Sequence, residues 1–178
     1  MDRIAQVYFA SGCFWCTEAV FQLVRGVKQL RPGFIDGKFR NPAYREVCTG
    51  RTGHAECVEI TFDPSVVTLK QLLEINFATH DPTQLNGQGY DLGTQYRSAI
   101  YCTTNDQLDI ATSFIEWCEE NKLFDKPIVT EVKMAPEFFV AEEEHHNYFR
   151  LHGEQRYCQL VIAPKLSKVH TYFKDHLD

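Results

Sequence analysis

The sequence predicts an α+β sandwich built as a single domain over residues 1–178, and three observations support this. The length of 178 residues is ordinary for one domain. The composition, 44% hydrophobic and 24% charged, is typical of a globular chain and excludes disorder, collagen repeats and long coiled coils. Helical and strand-like segments are mixed rather than strictly alternating, which favours an α+β sandwich over a doubly wound parallel sheet.

The first half of the chain carries clear strand and helix patterns. Apolar residues alternate in the strand-like segments and recur at helical spacing in the others. Thr68 is a plausible N-cap for the second helix. In order, we expect a strand at 4–10, a helix from Trp15 to about Val24, an irregular strand at 27–35, a strand at 56–62 and a helix burying Leu69, Leu72, Leu73 and Phe77.

The second half opens with a long segment, 80–96, that has three glycines and no periodicity. Loops of this length inside a compact domain are often functional. After this loop we expect a strand at 98–102, a capped helix burying Leu108, Ala111, Phe114, Ile115 and Cys118, a strand at 128–134, a helix through 141–149 and an extended segment at 157–163.

The net charge and the cysteine content limit the cellular compartment and the classes of binding partner that we expect. With 18 basic and 24 acidic residues the net charge is −6, so the chain has no general attraction to nucleic acid or to anionic membranes. The N-terminal stretch lacks a signal-peptide core, and no segment approaches the ~18 apolar residues of a membrane span. Seven cysteines, an odd number, favour a reducing compartment over a secreted disulfide framework. We therefore expect a cytoplasmic protein.

The sharpest local motif is G-C-F-W-C at 12–16, where a strand gives way to a helix. The first N–H groups of a helix are unpartnered and positively polarised, so we expect a lowered pKa for the Cys13 thiol. Gly12 permits a sharp turn. Cys13 and Cys16 have the spacing of dithiol redox motifs, and their sulfurs can approach in a first helical turn. Phe14 and Trp15 either fill the core or line an apolar pocket.

Simpler interpretations compete with these. Free cysteines are usually buried as small hydrophobes. A zinc site would need two further ligands, and the available Cys48, Cys57 and His54 match no common zinc spacing, so we expect no metal. Glu56 opens a strand, where burial would raise its pKa and make it a proton donor; spacing alone favours a solvated strand-edge glutamate.

Two further clusters are less specific. The segment G-Y-D-L-G-T-Q-Y at 89–96 is compatible with turn chemistry alone. At 142–146, three glutamates precede His145 and His146. Neighbouring helical residues diverge by about 100°, so these histidines would not face one ion, and a solvated charged face is expected.

Taken in order, the motifs resemble those of the A-type peptide methionine sulfoxide reductases. The matching blocks are G-C-F-W-C-x-E at 12–18, Y-R-E-V-C-x-G-x-T-G-H-A-E at 44–56, a gapped match from 89 to 101, and an E-x-x-H-x-x-Y-like segment at 142–148. They span nearly the whole chain in the family's order. The resemblance implies a two-layer α/β sandwich, a ferredoxin-like plait, around a mixed sheet.

The resemblance also implies an enzyme that reduces methionine-S-sulfoxide, free or in proteins, as repair of oxidative damage. Cys13 matches the nucleophile, which attacks the sulfoxide sulfur and becomes a sulfenic acid. Glu56 matches the acid that protonates the sulfoxide oxygen. The implied substrate-binding side chains are Phe14 and Trp15 for the S-methyl group, Tyr44 and Tyr96 for the oxygen, and Asp91 for nearby polar contacts.

Recycling requires a second thiol, and two fit the family's variants. Cys16 is local, whereas Cys158 in R-Y-C matches a C-terminal recycling position. The Gly-rich tail with two late cysteines of other members is absent, and a basic segment, 165–174, takes its place. Thioredoxin is the implied reductant, with dithiothreitol as its substitute in vitro. We expect no bound cofactor and a monomer.

Two other functions remain possible from the residues alone. One is a general dithiol oxidoreductase using Cys13 and Cys16, against which stand the missing thioredoxin-like strand order and cis-proline loop. The other is a metal-binding module without catalytic activity, which would carry stoichiometric zinc.

Overall fold

A computed structural model describes residues 4–178 of the chain. Its strands are β1 (Ala5–Ser11), β2 (Val27–Ile35), β3 (Ala55–Phe62), β4 (Gly87–Gln88), β5 (Asp91–Leu92), β6 (Ser98–Cys102), β7 (Glu131–Met134) and β8 (Phe138–Val140). Its helices are α1 (Phe14–Phe21), α2 (Tyr44–Val47), α3 (Leu69–Thr79), α4 (Asn105–Glu120), α5 (Tyr148–His152) and α6 (Ala163–Tyr172). Short 3₁₀ turns lie at Thr94–Tyr96, Glu143–His145 and Lys174–His176, and a π-helical turn, Cys158–Ile162, leads into α6.

The strands form one mixed sheet and one small hairpin. The sheet has six strands in the order β7-β6-β1-β3-β2-β8, and the two-residue strands β4 and β5 pair separately. Neighbouring strands of this sheet pair antiparallel except β6 and β7, which are parallel. The prediction of a mixed α/β architecture around a mixed sheet is therefore confirmed.

The alternation along β3 decides which of its side chains face the helices. All eight residues of β3 are buried, so both faces of the strand are covered. Val58 and Ile60 belong to the main core, which contains buried residues of α1, α3 and α4. Cys57 belongs to a smaller cluster of other sheet residues. Since side chains alternate along a strand, Glu56 shares the helix-covered face with Val58.

The two longest helices begin at threonine caps, of which Thr68 was predicted from the sequence. Thr68 accepts a hydrogen bond from the Gln71 N–H at 3.2 Å and the Gln71 side chain accepts one from the Thr68 N–H at 2.9 Å, which completes a capping box. Thr104 caps α4 in the same way through the Gln107 N–H. Phe77 and Phe114 then pack edge to face across α3 and α4, with ring centroids 5.1 Å apart.

The prediction for the later part of the chain is wrong in two places. The expected helix through 141–149 is instead a 3₁₀ turn followed by α5, because Asn147 adopts a left-handed conformation with φ 57° that a continuous helix does not allow. The expected extended segment at 157–163 is helical. Cys158 and Ile162, four residues apart, are both fully buried, so tertiary packing outweighs the strand-forming character of this stretch.

Residues 4–178 contain no helix that is both long and apolar enough to cross a membrane.

Candidate active site

Cys13 lies at the predicted junction between strand and helix. It is the N-cap of α1, and its carbonyl accepts hydrogen bonds from the N–H groups of Cys16 and Thr17 at 3.1 and 3.4 Å. Gly12 precedes it with φ 92°, and a Cβ built there would lie 2.6 Å from the Gln88 Cγ. Only glycine permits both this turn and this close approach.

The ionisation of the thiol pair differs from the sequence expectation. Burial raises the pKa of the Cys13 thiol well above its usual value, and a hydrogen bond with Cys16 raises it further. The Trp15 N–H at the start of the helix lowers the pKa of Cys13, but this effect is outweighed. The expectation of a lowered Cys13 pKa is therefore wrong, because desolvation opposes the helix terminus.

The pKa of Cys16 shifts in the opposite direction. The hydrogen bond from Cys13 lowers the pKa of the Cys16 thiol to about 7, although burial opposes it. Two thiols linked by a hydrogen bond lose their first proton readily, because the two sulfurs then share the proton that remains. They lose this second proton with difficulty. As the pH rises through about 7, the two sulfurs thus gain one negative charge, mainly on Cys16, with the Cys13 thiol donating to it.

Glu56 is buried with a single hydrogen bond. The carboxyl group has no exposed surface, and its Oε1 accepts the Phe14 N–H at 3.1 Å. Its Oε2 has no hydrogen-bond partner within residues 4–178. Burial raises the pKa of Glu56 to about 8, with the charge of Asp91 adding to the shift. The solvated glutamate favoured by spacing is therefore wrong, and this carboxyl group is mainly protonated at neutral pH.

Two tyrosines lie close to Cys13: Tyr44 stacks on the neighbouring Phe14, and Tyr96 packs against the apolar cluster that contains Cys13. Tyr44 opens α2 and Tyr96 ends a 3₁₀ turn. Burial raises the pKa of both phenols, and the charges of Glu56 and Cys13 raise both further. Both phenols therefore remain hydrogen-bond donors at physiological pH.

Aromatic rings form a wall beside Cys13. Phe14 stacks on Tyr44 with ring centroids 5.9 Å apart, and Trp15 stacks on Tyr44 at 6.2 Å. Tyr148 of α5 lies against the other side of the indole at 3.7 Å and nearly parallel to it. The rings form an apolar surface near Cys13, in which Phe14 is buried in the core and Trp15 is partly buried against that core.

His145 belongs to this wall, although a solvated face was expected. It is 6% exposed, its ring lies 4.1 Å from that of Tyr44, and its Nδ1 accepts the Trp15 indole N–H at 3.3 Å. Glu142, Glu144 and His145 offer ligand atoms within 4.8 Å of one another. Because Nδ1 accepts a hydrogen bond, the neutral ring carries its proton on Nε2 and presents a donor there, which does not suit a metal ion.

Comparison with known proteins agrees with this geometry. Residues 5–177 match the sequence model of a family described as peptide methionine sulfoxide reductase. The chain belongs to this family. MsrA of Deinococcus radiodurans is 50% identical over 172 residues, which cover 97% of this chain and 84% of that protein.

Solved structures share the fold. The reduced form of Mxr1 from Saccharomyces cerevisiae matches with a TM-score of 0.80 and 30% identity, over 88% of this chain and 90% of that one. Mxr1 in complex with Trx2 matches with a TM-score of 0.56 and 22% identity, over 82% and 85% of the two chains, which shows the fold alone.

In this peptide methionine sulfoxide reductase, Asp91 is connected to the thiol pair through a residue that sequence analysis did not select. The Tyr157 hydroxyl donates to Asp91 Oδ2 at 2.7 Å and lies 3.5 Å from Cys16 Sγ. Tyr157 is separated from Cys16 by 141 positions. In the sequence, only its position next to Cys158 indicated that it could lie near the site.

Cys158 completes a group of three thiols. It has no exposed surface and packs in one apolar cluster with Cys13 and Cys16. The charge of Cys16 contributes to the raised pKa of Cys158, for which burial is the main cause. Among the other cysteines, Cys48 is exposed and beside Tyr44, whereas the remaining ones lie in other parts of the core: Cys57, Cys102 and Cys118.

An open cleft of about 1040 Å³ leads from the thiols to the surface. Its walls include Tyr90 in the β4–β5 hairpin and Leu160 before α6, and both side chains are largely exposed. Of the site residues expected from the sequence, Cys13, Cys16 and Asp91 line this cleft.

Proposed function

We propose that the chain reduces methionine-S-sulfoxide, free or within proteins, to methionine, with Cys13 as nucleophile and Glu56 as general acid. The observation that carries this assignment is the pairing of Cys13 with a buried, protonated carboxyl group. A sulfoxide sulfur becomes electrophilic as its oxygen gains a proton. Glu56 supplies a proton donor at neutral pH beside a thiol that shares one negative charge with its neighbour.

The aromatic wall and the tyrosines fit the two ends of the sulfoxide group. An S-methyl group is apolar and suits the surface formed by Phe14 and Trp15. The sulfoxide oxygen accepts hydrogen bonds, which the hydroxyls of Tyr44 and Tyr96 can donate. Asp91 fixes the Tyr157 hydroxyl close to Cys16, so its proposed role is to organise the polar side of the site.

The first step transfers oxygen from substrate to enzyme. The Cys13 thiol passes its proton to the Cys16 thiolate, and the Cys13 sulfur bonds to the sulfoxide sulfur while Glu56 gives its proton to the sulfoxide oxygen. The substrate sulfur–oxygen bond then breaks with its electron pair on oxygen, which bonds to the Cys13 sulfur, and the transient sulfur–sulfur bond breaks so that methionine leaves with that electron pair. The oxygen and its proton remain on Cys13 as a sulfenic acid, so the cysteine sulfur is oxidised and the substrate sulfur reduced.

The second step closes a disulfide. We propose Cys16 as the first resolving thiol, since its sulfur already shares a hydrogen bond with Cys13, and Cys158 as a thiol that exchanges with the resulting disulfide. The Cys16 thiolate attacks the Cys13 sulfur, the Cys13 sulfur–oxygen bond breaks, and the departing hydroxide takes a proton to become water.

The reductant that returns the enzyme to its starting state is proposed to be thioredoxin, which would donate two electrons by thiol–disulfide exchange. The complex of Mxr1 with Trx2 supports this partner for the family. The cleft offers a route by which an external thiol reaches the disulfide. Dithiothreitol would replace thioredoxin in vitro, and no bound cofactor takes part in the proposed cycle.

The finer fold type, the cellular compartment and the oligomeric state are also proposals. The strand order β6-β1-β3-β2 with helices α1 and α3 in the connections supports a ferredoxin-like plait, a two-layer sandwich in which residues 1–178 form one domain. The seven free cysteines support a reducing, cytoplasmic compartment. We propose that the chain acts as a monomer.

The test is a single turnover without added reductant. Pre-reduced protein is mixed with N-acetyl-methionine-S-sulfoxide, and methionine product and free thiols are counted. The expected result is about one product and two lost thiols per chain, with none formed from the R epimer or by C13S. Absence of product from the S epimer, or full activity of C13S, would overturn the assignment.

A further inference from the structure

The basic segment 165–174 brings a cation to the active site. It forms most of α6, and Leu166 of this helix packs against the cluster that contains Cys13 and Cys16. Lys165 stands immediately before Leu166. The helix therefore places one of its basic side chains beside the thiols.

Lys165 lines two cavities together with Cys16. One is the open cleft, and the other is a second, very small cavity of about 10 Å³. The second cavity is shared with Ser11, Asn76 and His80. Within residues 4–178, Lys165 makes no ion pair with a carboxylate, so its charge is not neutralised by a direct acidic contact.

We infer that Lys165 is a positioning residue for disulfide closure: its ammonium group holds Cys16 as the thiolate that attacks the Cys13 sulfenic acid. The inference rests on the proposed function and names a residue in that cycle. In this step the bond between the Cys16 and Cys13 sulfurs forms as the Cys13 sulfur–oxygen bond breaks. The electron pair of the sulfur–oxygen bond leaves with hydroxide, which takes a proton from solvent and becomes water.

Some groups around Cys16 favour ionisation of its thiol and others oppose it. The titratable and charged groups that face it are Cys13, Glu56, His80, Asp91, Tyr157, Cys158 and Lys165. The hydrogen bonds from Cys13 and Tyr157 favour the thiolate, whereas burial and Asp91 oppose it. Burial lowers the pKa of His80 to about 4, so this ring is neutral and adds no positive charge.

The cation matters most after the first step. Before reaction, the Cys13 thiol is the main group that stabilises the Cys16 thiolate. Once Cys13 carries oxygen, that thiol hydrogen bond no longer exists in its original form. Lys165 is then the positive charge that keeps Cys16 nucleophilic, because a nearby opposite charge favours the ionised form of a thiol.

The experiment compares three variants in a C158S background, which leaves Cys16 as the nearby resolving thiol. K165M removes the charge, K165R restores it, and K168M removes an exposed charge that lines the cleft but not the small cavity. Methionine formation and disulfide closure are followed separately in a single turnover from pH 5.5 to 9. Thiolate absorbance of the reduced protein is titrated over the same range.

We expect K165M to move the midpoint of the closure profile and of the first thiolate titration upward by about one pH unit, the size of a partly screened charge interaction. Closure at pH 6.5 would then be about tenfold slower, with a longer-lived sulfenic acid that dimedone traps. K165R should restore both midpoints, and K168M should match the parent.

Unshifted midpoints in K165M, no rescue by K165R, or an equal shift in K168M would overturn the inference. The proposed function fails separately, by the absence of methionine from the parent protein. Even then the thiolate titration decides whether Lys165 stabilises the Cys16 thiolate.

Discussion

Two buried glutamates of β3 lie three positions apart and on opposite faces of the sheet. Glu59 is 3% exposed and accepts two hydrogen bonds from Arg31, at 2.7 and 3.0 Å, and one from the Tyr8 hydroxyl at 3.1 Å. Glu56 is fully buried, accepts one backbone N–H and leaves an oxygen without a partner in the described chain. One glutamate thus has both carboxyl oxygens hydrogen-bonded in an ion pair, whereas the other, on the opposite face, has a carboxyl oxygen without a partner among the described residues.

The difference separates a structural acid, Glu59, from the proposed general acid, Glu56. A carboxylate with a guanidinium partner holds its charge and stabilises the fold. A carboxyl group without such a partner retains its proton, and the unfilled hydrogen-bonding capacity is available to a substrate oxygen. Burial alone therefore does not distinguish these two acids, whereas the presence or absence of a cationic partner within residues 4–178 does.

The largest expected effect is on the chemical step. E56Q keeps the oxygen that accepts the Phe14 N–H but cannot donate an acidic proton, so methionine formation in a single turnover should slow by ~10²–10⁴-fold. E59Q is the matched control, with the same change on the same strand, and its rate should remain within about twofold of wild type. Equal losses in both variants would end the distinction between the two acids.

The next effect is on pH dependence. The folded-state pKa of Glu56 is about 8, so its proton is present below that pH and lost above it. The rate of methionine formation should fall about tenfold per pH unit on the alkaline side of pH 8. Rapid-quench measurements would show this limb in wild type and E59Q and its absence in E56Q. A wild-type rate that keeps rising through pH 9 would remove Glu56 as the acid.

The smallest expected effects are on stability, and they have opposite signs. The pKa of Glu56 is raised from 4.5 to about 8 on folding, so its contribution is fully present below about pH 4.5 and is lost as pH rises toward 8. At pH 8, the free energy of unfolding of E56Q should therefore exceed that of wild type. Urea denaturation at pH 5 and pH 8 measures the difference, which should shrink at the lower pH.

E59Q should change stability in the other direction. It weakens a charge-assisted pair whose arginine is 41% exposed, so the loss is ~1–2 kcal/mol rather than that of a fully buried pair. The same urea experiments measure it. A stabilised E59Q or a destabilised E56Q at pH 8 would contradict the comparison.

Much of the fold and the location of the thiol motif followed from local patterns. The capped helices α3 and α4 and the strand β3 have strong periodicity and identifiable ends. The face of Glu56 could also have been found from sequence, since positions 56, 58, 60 and 62 alternate with the rest of that strand. The spacing argument missed this because it treated Glu56 as a strand end.

The remaining features depend on contacts between distant parts of the chain. His145 meets Trp15 across 130 positions, and Tyr157 meets Cys16 across 141. Local rules placed Cys13 at a helix start but could not include the desolvation that reverses its pKa shift. The helix predicted through 141–149 failed for the same reason, because the Asn147 N–H donates to Glu18 at 2.7 Å instead of continuing a helix.

The late position of the segment that covers the thiols has a consequence during synthesis. Tyr157 follows Cys16 by 141 residues, and a ribosome adding ~5–20 residues per second needs roughly 7–28 s to make that stretch. Throughout this interval the nascent chain carries its reactive thiols without the shelter of Tyr148, Tyr157 and α6. A protein that repairs oxidation is thus itself most open to oxidants while it is being made, and oxidant exposure should damage newly made chains before finished ones.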